Sequence, residues 1–349
     1  MGSPKMLTKP ALPAPHGRSL LELLLAMTIA LVVLGAILFS VNQTGQSSRQ
    51  DNELAQLNED ATIAANLIRW QLRMAGYSQT RVITSSTETP SRNFVGSAVL
   101  GCEGGYTNTN AAAWRWDPTL NPPAAVISQG CVNPAADSAP DALTVLFEGD
   151  ASNTVPAANN APTDCLANGV VATVPSAIEV GAPYTLVENR FFIQNVAGVP
   201  TLSCIGNGGA AAFGAQATSQ PLLPNVVDMQ VTYGVAALFQ PPADSGRSAY
   251  PLFEARQFLR ADQVDNLIPG NRDASWQRVV SVNVCLLLST PNDALPEPMD
   301  YQDCRGVRHP TAADANDRRG YRAVNVTVAL RNRATACANA NATFPDLCR

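Results

Sequence analysis

The sequence predicts an α+β fold: a long N-terminal helix, apolar in its first half and amphipathic in its second, packed on an antiparallel β-sheet head with long, disulfide-stapled loops. Three observations lead there. No proline occurs from His16 to Thr89, a gap of 74 residues in a chain of 349 that carries 26 prolines, and proline is the residue helix interiors exclude. After Tyr77, short apolar runs are divided by Pro, Gly, Asn and Asp, the texture of strands and turns. All eight cysteines follow the apolar N-terminal run, and an even set so placed suits bridges formed in an oxidising compartment.

Composition narrows the function. Hydrophobic residues make up 46% of the chain and charged residues 15%, ample material for a core. A net charge of −5 without a basic block argues against nucleic acid as the main partner, because phosphate neutralisation needs clustered Lys and Arg. Lys5 and Lys9 are the only lysines, the other 21 basic residues being arginine, which excludes lysine-nucleophile chemistry in the body of the protein. His16 and His309 are the only histidines. A catalytic triad would rest on His309, which reads as a solvated loop residue before Pro310. Nucleotide-binding, metalloprotease and hydrolase motifs are missing. We expect no enzyme, no cofactor and no metal.

The first element in chain order is the charge-free stretch Leu23–Ser48, 26 residues. As a helix it would extend roughly 39 Å, enough for a bilayer core of about 30 Å. Lys5, Lys9 and Arg18 lie upstream with no acid before Glu22, which places the upstream flank on the cytoplasmic side and the C-terminal bulk on the periplasmic or outer side. The residues after the run, Val41-Asn42-Gln43-Thr44-Gly45-Gln46, do not form a small-residue secretory cleavage site, so the segment reads as retained. Glu22 stands at the leading edge of the apolar run, where an unpaired carboxylate costs about a few kcal/mol or is protonated. It needs a partner.

His16-Gly17-Arg18-Ser19-Leu20-Leu21-Glu22, followed by Leu23-Leu24-Leu25-Ala26, resembles the class III signal of type IV pilins and pseudopilins. The shared features are a short basic leader, a glycine, a glutamate five residues after it, and a long apolar helix. The resemblance implies that a membrane-bound prepilin peptidase cuts between Gly17 and Arg18 and that the new amine at Arg18 is methylated. The family's mature chain usually begins with phenylalanine, whereas this one would begin with arginine. It also gives Glu22 a role that agrees with the physics. An apolar helix entering a bundle of like helices can neutralise its buried carboxylate with a neighbour's N-terminal ammonium, and that pairing sets register.

The second half of the helix is amphipathic. Leu54, Leu57, Ala61, Ala64, Ile68, Leu72 and Ala75 recur at steps of three and four on one face, Asp51, Glu53, Glu59, Arg69 and Arg73 occupy the others, and Gly76 suits the C-terminal cap. A helix from about Ser19 to Ala75 would run on the order of 85 Å. Strands are expected at Ala142–Phe147, Tyr184–Asn195, Val226–Val235, Arg278–Ser289 and Tyr321–Arg331. The alternation of Val280, Val282, Val284 and of Val324, Val326, Val328 marks a half-buried antiparallel sheet whose apolar face covers the helix stripe. Thr107–Ala142, Glu148–Thr163 and Phe239–Ser275 read as loops, with a short helix near Phe253–Gln263. The chain thus divides into a leader (1–17), a membrane or filament-core half-helix (18–48), an amphipathic half-helix (49–76) and a head (77–349).

Leu72-Arg73-Met74-Ala75-Gly76-Tyr77, the run Pro224-Asn225-Val226-Val227-Asp228-Met229-Gln230-Val231-Thr232-Tyr233-Gly234, Trp276-Gln277-Arg278-Val279-Val280-Ser281-Val282, and the stretch from Tyr321-Arg322 to Leu330-Arg331-Asn332 are similar to the PilW family of minor pilins, which is related to the J-type pseudopilins of type II secretion. The resemblance implies a type IV pilin-like fold and a structural protein that helps initiate a type IV pilus at its tip. Implied partners are other minor pilins, the major pilin, the prepilin peptidase, the inner-membrane assembly platform and a tip adhesin. The implied location is the inner membrane, single-pass with the head in the periplasm, then the pilus at the cell surface. A J-like pseudopilin of a type II secretion system is the alternative. A membrane-tethered enzyme or sugar-binding module is a third reading, against which Glu22 and the missing catalytic constellation stand. A head of about 270 residues has a radius of gyration near 18 Å, too bulky to repeat at every subunit of a slender filament, hence the minor role.

The eight cysteines are Cys102, Cys131, Cys165, Cys204, Cys285, Cys304, Cys337 and Cys348. They allow 105 connectivities, of which pairing between sequence neighbours is expected, Cys337 with Cys348 above all because the intervening residues close easily. Trp114 and Trp116 flank Arg115 and read as loop residues packed on the head, with an exposed partner- or sugar-binding anchor as the rival reading. The acidic groups Asp137–Asp141 and Asp314–Asp317 lack the spacing of a calcium loop. Arg318, Arg319 and Arg322 are expected to pair with nearby acids. Gly17→Val should block leader removal. Intact-mass measurement of the membrane-extracted chain should then show the full leader, and an unchanged mature mass would contradict the cleavage site.

Overall fold

The computed structural model describes residues 19–81, 91–94, 96–120, 124–132, 139–175, 183–210, 212–215, 218–239 and 250–334. The chain forms two compact units, Met1–Asn52 and Glu53–Arg349. In the first, α1 (Leu20–Met74) starts at Ser19, whose hydroxyl accepts the Leu21 N–H at 3.3 Å as an N-cap does.

The second unit begins with the rest of α1. Leu57, Ala61, Ala64, Ala65, Ile68, Gln71 and Leu72 are buried, and Leu54 packs half-buried against the same core. This is the stripe that the spacing of three and four predicts. The helix ends because Gly76 takes φ +71°, a left-handed conformation that costs glycine little. The Gly76 N–H then binds the Leu146 carbonyl at 2.9 Å, tying the helix exit to the head.

The head contains, in chain order, β1 (Thr80–Arg81), β2 (Ser91–Arg92), β3 (Val99–Cys102), β4 (Trp114–Asp117), β5 (Ala124–Ile127), β6 (Ala142–Glu148), β7 (Thr173–Val174), β8 (Tyr184–Val196), β9 (Val199–Gly206), β10 (Gln220–Pro224), β11 (Val226–Phe239) and β12 (Tyr250–Leu259). There follow α2 (Ala261–Asp265), α3 (Arg272–Trp276), β13 (Val279–Ser289), β14 (Tyr301–Gln302), β15 (Arg308–His309), β16 (Tyr321–Ala329) and α4 (Arg331–Ala334). One antiparallel sheet has the order β10-β9-β8-β6-β3 with β7 beside β8, and a second has the order β12-β11-β13-β16. Side chains of both sheets and of α1 share one hydrophobic core, with Ile68, Leu72, Leu143, Leu146, Phe191, Val282 and Leu286 each fully buried.

Polar bonds fix the helix where the core ends. Asn189 on β8 donates to the buried Gln71 amide oxygen at 2.8 Å, and Asn332 on α4 donates to the Arg73 carbonyl at 2.8 Å. The Glu148 carboxylate accepts from the Ser78 hydroxyl, the Gln79 N–H and the Asn93 amide at 2.6, 2.9 and 2.8 Å, so the turn leaving α1 is held by a fully engaged acid. A Cβ on Gly320 would come 2.8 Å from the end of the Leu54 side chain, so the start of β16 lies close against α1.

Several expectations need correction. The five expected strands divide between two sheets rather than one: β6 and β8 lie in the first, β11, β13 and β16 in the second, where β13 and β16, the two marked by alternation, pair with each other. The helix expected near Phe253–Gln263 is instead β12 followed by the short α2, because pairing of residues 250–259 with β11 outweighs local helix preference. The same pairing puts regular structure into the supposed loop Phe239–Ser275. Thr107–Ala142 likewise carries the β4–β5 hairpin, in which Trp114 opposes Ile127 and Arg115 opposes Val126. The hairpin between β8 and β9 turns on Ala197 (φ +52°) and Gly198 (φ +90°), the two-residue positive-φ turn favoured by strand twist.

On α1, Leu72 is fully buried and Ile63 is 47% exposed. Leu72→Ala should cost about 2–5 kcal/mol, and Ile63→Ala less than about 0.5 kcal/mol, by denaturant unfolding of the detergent-solubilised protein. Equal effects would contradict the stripe.

Candidate functional site

The first unit presents an apolar helix with every described residue from Ser19 to Arg49 exposed. It is long and apolar enough to cross a membrane, with a mean hydropathy of 2.7 over its best stretch and none of that stretch buried. Two of the hydroxyls that interrupt it are satisfied within the helix: Thr28 donates to the Leu25 carbonyl at 2.9 Å and Thr44 to the Ser40 carbonyl at 2.8 Å. Such back-bonding lets a polar side chain enter a medium without water. Glu22 lies in the first turn of α1, where the helix dipole favours a negative charge. Gly17 and Arg18 lie outside the described residues.

Among the described residues the disulfides are Cys102–Cys131, Cys165–Cys204 and Cys285–Cys304, each joining a cysteine to the next one in sequence. Cys337 and Cys348 lie outside the described residues. Each bridge ties a core strand, β3, β9 or β13, to a loop or short strand with little core of its own, where cross-linking restricts the unfolded chain most usefully.

His309 is not the free loop residue expected. It ends β15 half-buried, stacks on Tyr301 with ring centroids 4.6 Å apart, and meets Asp314 through Nδ1 at 2.6 Å and Asp303 through Nε2 at 3.4 Å. Both nitrogens are engaged, so the ring acts as a tie between two acids. Burial pushes its pKa down, but the hydrogen bonds and charges of Asp314 and Asp303 outweigh it and leave the pKa above 6.5. Tyr301 stacks on Tyr321 at 4.4 Å, and Asp317 binds both the Tyr321 hydroxyl and the Arg319 guanidinium. Of the three arginines expected to find acids, Arg319 does so with Asp317 at 2.7 Å, while Arg322 reaches Asn58 of α1 instead.

Sequence reasoning missed the buried charges. Glu188 and Arg190, both on β8 and both with no exposure, lie two residues apart and so face the same side of the strand. Glu188 accepts the Ala113 N–H at 2.8 Å, Arg190 donates to the Ala111 carbonyl, and the guanidinium lies 5.9 Å from the Tyr106 ring centre. Together they pin the Tyr106–Trp116 segment onto β8, which places Trp114 in the core rather than at a binding surface; its burial is complete. Burial pushes the Glu188 pKa up and the Arg190 pKa down, the sign of a pair retained at an energetic cost. The available signal was two charges inside an otherwise apolar strand. Asp141 is a second such group. It accepts the Val231 N–H at 2.8 Å and the Gly104 N–H at 3.2 Å, and burial, reinforced by Glu103 and Asp228, pushes its pKa up to about 7 against those bonds.

Residues 190–332 match the family described as Type IV Pilus-assembly protein W. The match runs from Arg190 on β8 to Asn332 on α4 and takes in three of the segments whose motifs carry the resemblance. No curated protein matches the chain. Among solved structures, a type IV-like pilin from Thermus thermophilus aligns with a TM-score of 0.36 at 12% identity, covering 80% of this chain and 98% of that one.

Asp141 predicts a pH dependence. Its pKa is about 7 folded and 3.8 by default, so between these values the folded head holds a proton that the unfolded chain has lost. Stability from this group is full below about pH 4 and is lost as pH rises towards 7. His309, with a raised pKa, acts in the same direction above pH 6.5. Thermal unfolding at pH 5 and pH 8 should favour pH 5, and Asp141→Asn should shrink the difference. An unchanged difference would remove Asp141 as its source.

Proposed function

We propose that this chain is a structural minor pilin that inserts its N-terminal helix into a type IV pilus and helps initiate assembly at the tip. The observation that carries the reading is the exposed apolar half of α1 with one carboxylate, Glu22, in its first turn. A helix apolar all round must be covered by lipid or by other apolar helices. A plain anchor has no use for an acid at the edge of its apolar run, whereas a subunit that slides into a bundle can pair it with a neighbour's N-terminal ammonium. The assembly-protein match over residues 190–332 supports the same reading for the head.

The function divides accordingly. Leader removal after Gly17 frees the amine at Arg18, and the apolar half of α1 holds the chain in the inner membrane with its head in the periplasm until assembly. Glu22 then sets the subunit's register against other minor pilins and the major pilin on the inner-membrane platform. The head, too large to repeat along a slender filament, remains at the tip.

Two measurements test this. A clean deletion in the native host, scored for surface pili by electron microscopy and for exported enzymes in the medium, should abolish or sharply reduce pili and leave secretion intact. Lost secretion with normal pili would favour the J-like pseudopilin, and no change in either would reopen the tethered-module reading. Glu22→Ala should lower the amount of this subunit in sheared pili while the head keeps its unfolding midpoint. Normal incorporation would rule out the charge pairing.

A further inference from the structure

Cys131 has surroundings that a purely structural bridge does not require. It lines an open pocket of about 430 Å³ together with Glu103, Asp262, Asp265 and Arg272. The Arg272 guanidinium places Nη2 3.3 Å from the Cys131 sulfur. That guanidinium is held from the far side, since its Nε donates to Asp265 at 2.7 Å and the same carboxylate oxygen accepts from Trp276 Nε1 at 2.6 Å. Cys102, the other half of the bridge, is fully buried. Among the described residues, neither Cys165–Cys204 nor Cys285–Cys304 contributes to this pocket.

We propose that Cys102–Cys131 is a thiol–disulfide exchange site, entered through this pocket at Cys131 and selective for small thiols that carry a positive charge. A thiolate in the pocket reaches Cys131 while its partner sulfur is shielded. It attacks the Cys131 sulfur, a new S–S bond forms, the Cys102–Cys131 bond breaks, and the electron pair leaves on Cys102, which takes a proton from solvent. A second thiol attacks the sulfur of the first, releasing a symmetrical external disulfide and the Cys131 thiolate. Two external thiols are oxidised and one protein disulfide is reduced. Arg272 stabilises the Cys131 thiolate in the last step and in the reverse reaction, as a cation beside sulfur does elsewhere. Arg260 lies 3.8 Å from Glu103 and 3.3 Å from Asp262, and Arg272 binds Asp265, so three carboxylates against two guanidiniums leave one net negative charge at the pocket, which attracts an ammonium group on the incoming thiol and repels a sulfonate. Opening the bridge would release the Cys131 segment from β3, while β4 stays held to β8 through Glu188 and Arg190.

The test uses the full-length oxidised protein in detergent at pH 7, incubated with graded cysteamine or with 2-mercaptoethanesulfonate, then alkylated and read peptide by peptide by mass spectrometry. Cysteamine should open Cys102–Cys131 at a concentration about tenfold below that needed for Cys165–Cys204 or Cys285–Cys304, and it should outpace the sulfonate at this bridge alone. Opening of all three together, or of this bridge last, would overturn the proposal, and equal rates for the two thiols would overturn its selectivity. Arg272→Lys should keep the order and Arg272→Gln should abolish it. Should Arg272→Gln fail to fold, the alkylation rate of Cys131 against pH in Cys102→Ser decides the same point. A midpoint below the ordinary thiol value of about 8.5 supports the cation's role and one at or above it refutes that role.

Discussion

The head assembles around the buried stripe of α1 from Leu57 to Leu72. Small residues at 61, 64 and 65 let the helix approach closely, and Ile68 and Leu72 fill the core that both sheets share. Without that stripe the second unit would expose apolar faces on two sheets at once, and neither sheet covers the other's need alone. The polar contacts at its margins, Gln71 with Asn189, Arg73 with Asn332 and the turn held by Glu148, each fix one end of the same contact. The constraint therefore runs from a spacing of three and four in the sequence to the placement of β6, β8, β13 and β16.

Much of this was legible before any coordinates. The helix limits, the stripe and five of the longer strands could be read from proline absence and from periodicities of 3.6 and 2, because those signals come from burial on one face. What escaped was structure whose cause lies far away in sequence. β12 exists because β11 offers it a partner, and α2 follows it; nothing within residues 250–265 marks them as strand and then helix. β9 is shorter in apolar signal and, with the Ala197–Gly198 turn beside it, escaped the sequence reading. The assembly helix was equally legible at Glu22, since a carboxylate at the edge of an apolar run is conspicuous. Arg272 beside Cys131 was not, because 141 residues separate them and no local pattern joins them.

The buried charges show a different economy from that of the stripe. Glu188, Arg190 and Asp141 gain little by replacing water with protein, yet each fastens a segment that has few apolar residues of its own. The disulfides do the same for neighbouring segments by covalent means. The head thus combines a compact hydrophobic centre with long connections held by scattered specific ties, which is why composition alone suggested loops where the chain is in fact well fixed.

The edge strand β10 carries prolines at 221 and 224 within its five residues. Proline lacks the N–H that a further strand would need, so that border of the sheet is a poor template for growth. This matters for solubility, because an edge that cannot extend resists the runaway edge-to-edge stacking from which amyloid begins.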